Sequence, residues 1–302
     1  MRIGIFGGDA ASGGDLDVVV DAARTAAEQG FAGYWMPQIF GFDAITALAV
    51  VGREVDGIEL GTAVVPTYPR HPMMLAAQSL TASAATGGRF TLGIGLSHQI
   101  VIEGMFGLSF EKPARHMREY LSILMPLLHD GSVNVAGDTL TYRGPVQVPN
   151  TAPPPVVIAA LAPRMLALAG EVADGTITWM TGPATIGDHI APSITKSAEG
   201  AGRPAPRVIG ALPVMVTDDP DAARARASEV FSVYNDLPSY RAMLDREGAA
   251  GPADVAVVGD ESTVRAGVSA MADAGCTDFL AVEFASSEQE RTQTRDLLRA
   301  LL

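Results

Sequence analysis

Short apolar runs alternate with amphipathic stretches along the whole chain. Residues 58–65 and 89–96 are apolar almost throughout, the composition of strands buried on both faces. Between them Met73, Ala76, Ala77, Leu80 and Ala84 fall at i, i+3, i+4, i+7 and i+11, one face of a helix. A strand, a helix and a strand of these lengths predict a parallel βαβ unit. The rhythm continues on both sides. Residues 3–6 predict a first strand that runs into Gly7-Gly8 and a Gly/Ser-rich loop to Gly14. Asp15 then caps a helix to residue 29, which Gly30 ends. Residues 33–36 predict a second strand and 43–54 its helix. Residues 110–129 predict a long helix with Met117, Tyr120, Leu121, Leu124 and Leu128 on one side. Four further strands are predicted at 156–160, 176–179, 208–217 and 279–284, each followed by a helical pattern.

Eight strands alternating with helices predict a (β/α)8 TIM barrel. Two segments break the alternation. Residues 133–148 alternate around Gly137-Asp138 and Arg143-Gly144-Pro145, which predicts a pair of antiparallel strands outside the main sheet. Residues 218–257 hold a helical region broken near Pro238. Both are expected to be insertions at the ends of the sheet. No stretch has the composition of a linker, so residues 1–302 are read as one domain.

Composition narrows the partners. The net charge of −13 argues against nucleic acid and anionic membranes, which would be repelled over long range. Local anion binding through backbone amides stays open, because it needs no net positive charge. The single cysteine, Cys276, excludes an internal disulfide and a cysteine-rich metal site, and reads as a small buried residue before the last strand. No run approaches the ~20 apolar residues of a membrane span, and MRIGIFGG is too short an apolar start for a signal peptide. The expectation is a soluble cytoplasmic protein acting on a small molecule.

Strand carboxyl ends are where parallel α/β proteins place their sites. Here the third predicted strand runs into Pro66-Thr67-Tyr68-Pro69-Arg70-His71-Pro72 and the fourth into Gly93-Ile94-Gly95-Leu96-Ser97-His98. Gly93 and Gly95 either let a flat ligand approach the backbone or relieve crowding inside a barrel. They form no dinucleotide fingerprint, because His98 stands where the third glycine belongs and no helix is expected there. Residues 159–163 lead small side chains into a helix, either an ordinary loop with proline at the first helical position or a cradle of amides for a phosphate. His71 and His98 lie in strand-end loops, whereas His116 and His129 read as structural or solvated. No histidine pair has metal-ligand spacing. Trp35, Trp179 and Phe40 are core residues or the lining of an apolar pocket. Glu111, Arg115 and Glu119 form one stripe of a helix, read as a solvated face.

Taken together, Leu60-Gly61-Thr62-Ala63-Val64, Arg70-His71-Pro72, 89–95, 115–121, 155–162 and Ala173-Asp174-Gly175 resemble the bacterial luciferase-like flavin and deazaflavin oxidoreductases. The resemblance implies a (β/α)8 barrel with insertions, commonly a homodimer, and a cofactor at the carboxyl ends of the strands. Thr62-Ala63-Val64 and the small residues after the fifth strand are more similar to the branch that uses coenzyme F420 than to the FMN branch. That likeness implies a non-proline cis peptide at Ala63-Val64 backing the deazaflavin ring. It also implies that Gly95, Leu96 and Ser97 lie near the ring, and that Ala160, Leu161 and Ala162 give amides to the cofactor phosphate. Dehydrogenases of this branch carry Asp-His where Gln38-Ile39 stand here, and an acidic residue where His98 stands. Neither Gln38 nor Ile39 takes a proton at neutral pH, so alcohol oxidation through that base is not expected. His98 and Gln38 remain as candidates to polarise a substrate, with His98 a substitute acid. The leading expectation is an F420-dependent oxidoreductase passing a hydride to or from a small apolar substrate, with Trp35, Phe40 and Trp179 lining its pocket. An FMN-dependent monooxygenase and a non-catalytic cofactor-binding barrel are the alternatives.

Overall fold

Parallel strands that pair with both neighbours have no free edge, and in this chain the pairing closes on itself. The computed structural model describes residues 1–7 and 15–302, so the Gly/Ser-rich loop expected after the first strand lies outside the described residues. The chain begins with β1 (Arg2–Phe6), α1 (Leu16–Glu28), β2 (Gly33–Met36), α2 (Ala44–Glu54), β3 (Glu59–Thr62), β4 (Val65–Pro66) and α3 (Pro72–Ala85). It continues through β5 (Phe90–Gly95), α4 (Gln99–Gly104), α5 (Pro113–His129), β6 (Ser132–Ala136), β7 (Thr141–Pro145), β8 (Val156–Ala159) and α6 (Pro163–Val172). Next come β9 (Gly175–Trp179), α7 (Pro183–Thr185), α8 (Ala191–Gly200), β10 (Arg207–Val216), α9 (Pro220–Val230) and α10 (Pro238–Glu247). The chain ends with β11 (Val257–Gly259), α11 (Glu261–Asp273), β12 (Asp278–Glu283) and α12 (Glu288–Arg299).

The ring runs β1, β2, β3 with β4, β5, β8, β9, β10, β12 and back to β1, every pairing parallel. This is the eight-stranded (β/α)8 barrel expected from the alternation. β6 and β7 pair antiparallel in a separate hairpin, and β11 adds a parallel strand outside β10. Glu119 on α5 ties that hairpin down through the amides of Thr139 (2.9 Å) and Leu140 (3.2 Å), so it does more than decorate a solvated face. No helix of the described residues is long and apolar enough to cross a membrane.

Side chains that point into the barrel stack in layers, because inward positions alternate along every strand. At the amino ends of the strands Arg207 bonds Glu59 (2.7 Å) and Asp278 (2.8 Å), and Arg2 bonds Glu59 (2.6 Å) and Asp278. Thr91 and Thr277 each add a hydroxyl to a carboxylate at 2.6 Å. This polar ring closes the bottom of the barrel. The middle layer holds Trp35, Val157, Ile177, Ile209 and Leu280. Trp35 is 1% exposed, with the Arg207 guanidinium 5.7 Å above its ring. The indole fits because its own strand and the neighbouring β3 carry glycine. A Cβ on Gly33 would come within 2.7 Å of its Nε1, and one on Gly61 would land on its six-membered ring. Trp35 therefore supplies the volume that the glycines leave out. It packs inside the barrel beneath the mouth, the core position that was the first of its two readings.

Candidate active site

The top layer of the barrel is asymmetric. Phe6, Ala63, Val64, Ala159 and Trp179 all pack on the inner cluster from the carboxyl-end side. Small residues occupy the arc formed by β3, β5 and β8, and the rings flank it, with Trp179 on the adjoining β9 and Phe6 on β1 beyond β2. Between β3 and β4 the Ala63-Val64 peptide is cis, and β4 then rejoins β5 with Val65 opposite Ile94. Two glycines of β5 accommodate this bulge. Gly93 bonds Thr62 in both directions, its N–H donating to Thr62 Oγ1 (2.8 Å) and its carbonyl accepting from the same hydroxyl (2.7 Å). A Cβ at Gly93 would land on the Thr62 carbonyl oxygen, so packing alone requires glycine there. At Gly95 a Cβ would meet Val64 Cγ2 at 2.6 Å and Ala159 Cβ at 3.2 Å. The space beside Gly95 thus belongs to two short side chains, which keep the floor of the mouth low. Leu96 and Ser97 continue from it half-buried, with Ser97 at φ 60.

Aromatic rings make the wall beside this floor. Phe6 and Trp179 stack at 6.1 Å and 24°. Phe231 and Tyr234 meet Trp179 edge-on at 5.6 and 5.9 Å, Tyr240 meets Tyr234 at 4.9 Å, and His98 lies 5.8 Å from Tyr240. Edge-to-face pairs of this kind stabilise beyond the area they bury. Trp179 Nε1 is shielded from solvent and has no acceptor among the described residues. Phe231, Tyr234 and Tyr240 come from the insertion at 218–257 and were not foreseen as site residues. A usable signal was present, since three aromatics fall within 231–240 in a chain that is only 6% aromatic.

The other expected site residues are dispersed. Phe40 is 70% exposed in the turn after β2 and stands away from the aromatic wall. Gln38 is committed to that turn, with Oε1 accepting from the Ala44 amide (2.8 Å) and, at 3.4 Å, from Arg70. Arg70 also pairs with Asp43, joining the loop after β4 to the start of α2. His98 is the N-cap of α4, so a helix does begin there, against the expectation of none. That helix is only six residues long, too short for periodicity to reveal. Its first turn closes on the His98 carbonyl, which accepts from Val101 and Ile102 at 2.9 Å. Burial lowers the His98 pKa below its usual 6.5. Burial thus favours the uncharged imidazole over the imidazolium.

His71 and His116 have structural partners. His71 caps α3 through Nδ1, which accepts from Met73 N at 3.2 Å. His116 sits 3.0 Å from Thr67 Oγ1 and stacks on Tyr68 at 3.9 Å, and burial pulls its pKa down to about 4. Among the described residues no group of three or more His, Cys, Asp or Glu gathers as a metal site would. After β8, Ala160 is buried and Leu161 half-buried, and the exposed Ala162 is the N-cap of α6 with no side-chain cap.

A barrel whose site is a low floor at the strand ends can be compared with known proteins as a whole. Residues 1–299 match the family model for luciferase-like monooxygenases. The chain belongs to that family. It is 28% identical over 228 residues to a 5,10-methylenetetrahydromethanopterin reductase of Methanolobus tindarius, covering 75% of this chain and 69% of the relative. It is 30% identical over 235 residues to a Mycobacterium tuberculosis protein provisionally named a coenzyme F420-dependent oxidoreductase, covering 71% and 67%. The chain is accordingly an oxidoreductase of the luciferase-like family. Among solved structures, the coenzyme F420-dependent tetrahydromethanopterin reductase of Methanopyrus kandleri superposes with a TM-score of 0.82 at 20% identity, covering 99% of this chain and 97% of that one. The oxygenating constituent of 3,6-diketocamphane monooxygenase from Pseudomonas putida, in complex with FMN, superposes with a TM-score of 0.78 at 16% identity over 99% and 96%. These two share the fold.

Proposed function

We propose that the chain is an F420-dependent oxidoreductase acting on a small apolar substrate. One observation carries this reading: a floor of short side chains, Ala63, Val64 and Ala159 around Gly95, is flanked by the rings of Phe6 and Trp179 at one barrel mouth. A planar tricyclic ring fits where side chains are short and main chain is close. The sequence likeness to a relative named for coenzyme F420 favours the deazaflavin over FMN. When bound, the deazaflavin supplies hydride chemistry at C5. The chain's own part is to hold, orient and desolvate. Ala63, Val64 and Gly95 back the ring, Leu96 and Ser97 border it, and residues 160–162 offer amides to a phosphate. Phe6, Trp179, Tyr234 and Tyr240 exclude water and select an uncharged substrate beside the ring. His98, half-buried beside Tyr240, hydrogen-bonds a substrate heteroatom. Gln38 holds the turn after β2, its Oε1 occupied by Ala44 and Arg70.

Titration of the purified protein with F420 and with FMN, followed by fluorescence, tests the cofactor. Quenching of F420 at micromolar concentration with weaker FMN binding is expected. The reverse order would move the reading to the FMN-dependent monooxygenase, and binding of neither would leave a non-catalytic barrel. His98→Ala is expected to lower turnover about tenfold or more while leaving the F420 dissociation constant within about twofold. Unchanged turnover would remove His98 from the chemistry.

A further inference from the structure

Every carbonyl of the loop Ala160-Leu161-Ala162 is turned into the protein. The Ala160 carbonyl accepts weakly from Thr176 Oγ1 at 3.4 Å, a hydroxyl shared with Ile158 O at 2.9 Å. The Leu161 carbonyl accepts from His189 Nε2 at 2.8 Å, the strongest of the side-chain pins. The Ala162 carbonyl accepts from the amides of Met165 (2.9 Å) and Leu166 (3.0 Å) as α6 begins. A trans peptide unit aims its N–H opposite its C=O, and Ala63-Val64 is the one cis bond among the described residues. Holding the Leu161 carbonyl inward therefore holds the Ala162 N–H outward. The Ala160 carbonyl does the same for the Leu161 N–H. Among the described residues neither amide has an acceptor. Both stand at the amino end of α6, a ten-residue helix whose cap residue supplies no side-chain bond.

His189 is suited to this task. It is 8% exposed, and a carbonyl oxygen has no proton to offer, so Nε2 must carry the hydrogen. The residue lies in a single π-helical turn, 186–190, between α7 and α8. Such turns insert one extra residue into a helix and are frequent at functional sites. Nothing in the barrel core requires a donor at this point, since an apolar side chain would fill the same space and leave the Leu161 carbonyl free to rotate.

We propose that His189 is a positioning residue for anion recognition: it locks the Leu161–Ala162 peptide plane so that the Ala162 amide meets the cofactor phosphate. The proposal rests on the reading of residues 160–162 as the phosphate cradle. The test uses a deazaflavin riboside with and without its terminal phosphate, titrated by fluorescence into wild type, His189→Ala, His189→Asn and His189→Gln, alongside thermal melts. Wild type is expected to bind the phosphorylated form more tightly. His189→Ala should weaken that form about fivefold to tenfold, the worth of one hydrogen bond to an anion, and leave the unphosphorylated form within about twofold. His189→Asn is too short to reach Leu161, keeps polarity in the turn if alanine does not fold, and should behave as alanine does. His189→Gln places a donor near the Nε2 position and should restore most of the preference. Equal weakening of both ligands, an unchanged preference in the alanine or asparagine variant, or no rescue by glutamine would overturn the positioning role. Equal wild-type affinity for the two ligands would instead refute the phosphate cradle itself, and the role of His189 with it.

Discussion

Gly93→Ala is expected to destabilise the protein by about 3 kcal/mol, at the upper end of the cost of forcing an atom into a packed core. The added methyl would land on the Thr62 carbonyl oxygen, and a backbone atom cannot rotate away as a side chain can. Both hydrogen bonds between Gly93 and Thr62 would be displaced with it. Gly95→Ala is the informative comparison. There the closest approach is to a side-chain methyl, Val64 Cγ2 at 2.6 Å, which can turn aside, and Ala159 Cβ at 3.2 Å needs to yield only a few tenths of an ångström, so the expected cost is only about 1 kcal/mol. Its larger effect should be on cofactor affinity, because the floor of the mouth would be raised. Urea unfolding of the two variants decides the matter. A Gly93→Ala midpoint equal to that of Gly95→Ala would show that β5 yields at this point.

Asp278→Ala should cost about 2–4 kcal/mol, somewhat less than a fully buried pair because Arg2 is half exposed. Asp278 is 4% exposed and neutralises Arg207 and Arg2 where the barrel closes at its base. Alanine would leave two guanidinium groups sharing Glu59 alone. The same carboxylate makes stability depend on pH. Burial alone would raise its pKa, but bonds and charge from Arg207, with help from Thr277 and Arg2, outweigh that and hold it below the ordinary 3.8. A folded-state pKa below the unfolded one adds stability that is fully present above the unfolded value. That stability disappears as pH falls through the lowered folded value. Wild type should therefore lose stability as pH drops below about 4, and Asp278→Ala should show a shallower acid slope. Equal slopes in acid melts would rule out Asp278 as a source of that dependence.

The candidate site was only partly legible from the chain. Residues 63–64, 95–97 and 160–162 fall at strand ends, where position in the alternation is itself a sign of a site. Trp35 and Phe40 carry the same sign and stand elsewhere, one under the mouth and one on the surface. What separates them is the direction of the side chain and the size of its neighbours, such as the glycines at 33 and 61 beneath the indole. Phe231, Tyr234 and Tyr240 belong to an insertion, whose path over the barrel follows from packing and not from periodicity. His189 had no local signal, since its partner Leu161 lies 28 positions away.

By itself the order of amino acids determined the barrel. Apolar runs too short for anything but buried strands, joined by helices with one apolar face, leave few ways to bury every strand except a closed parallel ring. The cap at Asp15, the left-handed Gly30 and the hairpin over β6 and β7 were likewise written locally, in residues a few positions apart. The tertiary structure alone decided which strand-end residues gather at the mouth, which carbonyls the buried side chains turn inward, and that burial lowers the His98 pKa. Those outcomes depend on distances and solvent exclusion between residues far apart in the chain, and no local pattern encodes them.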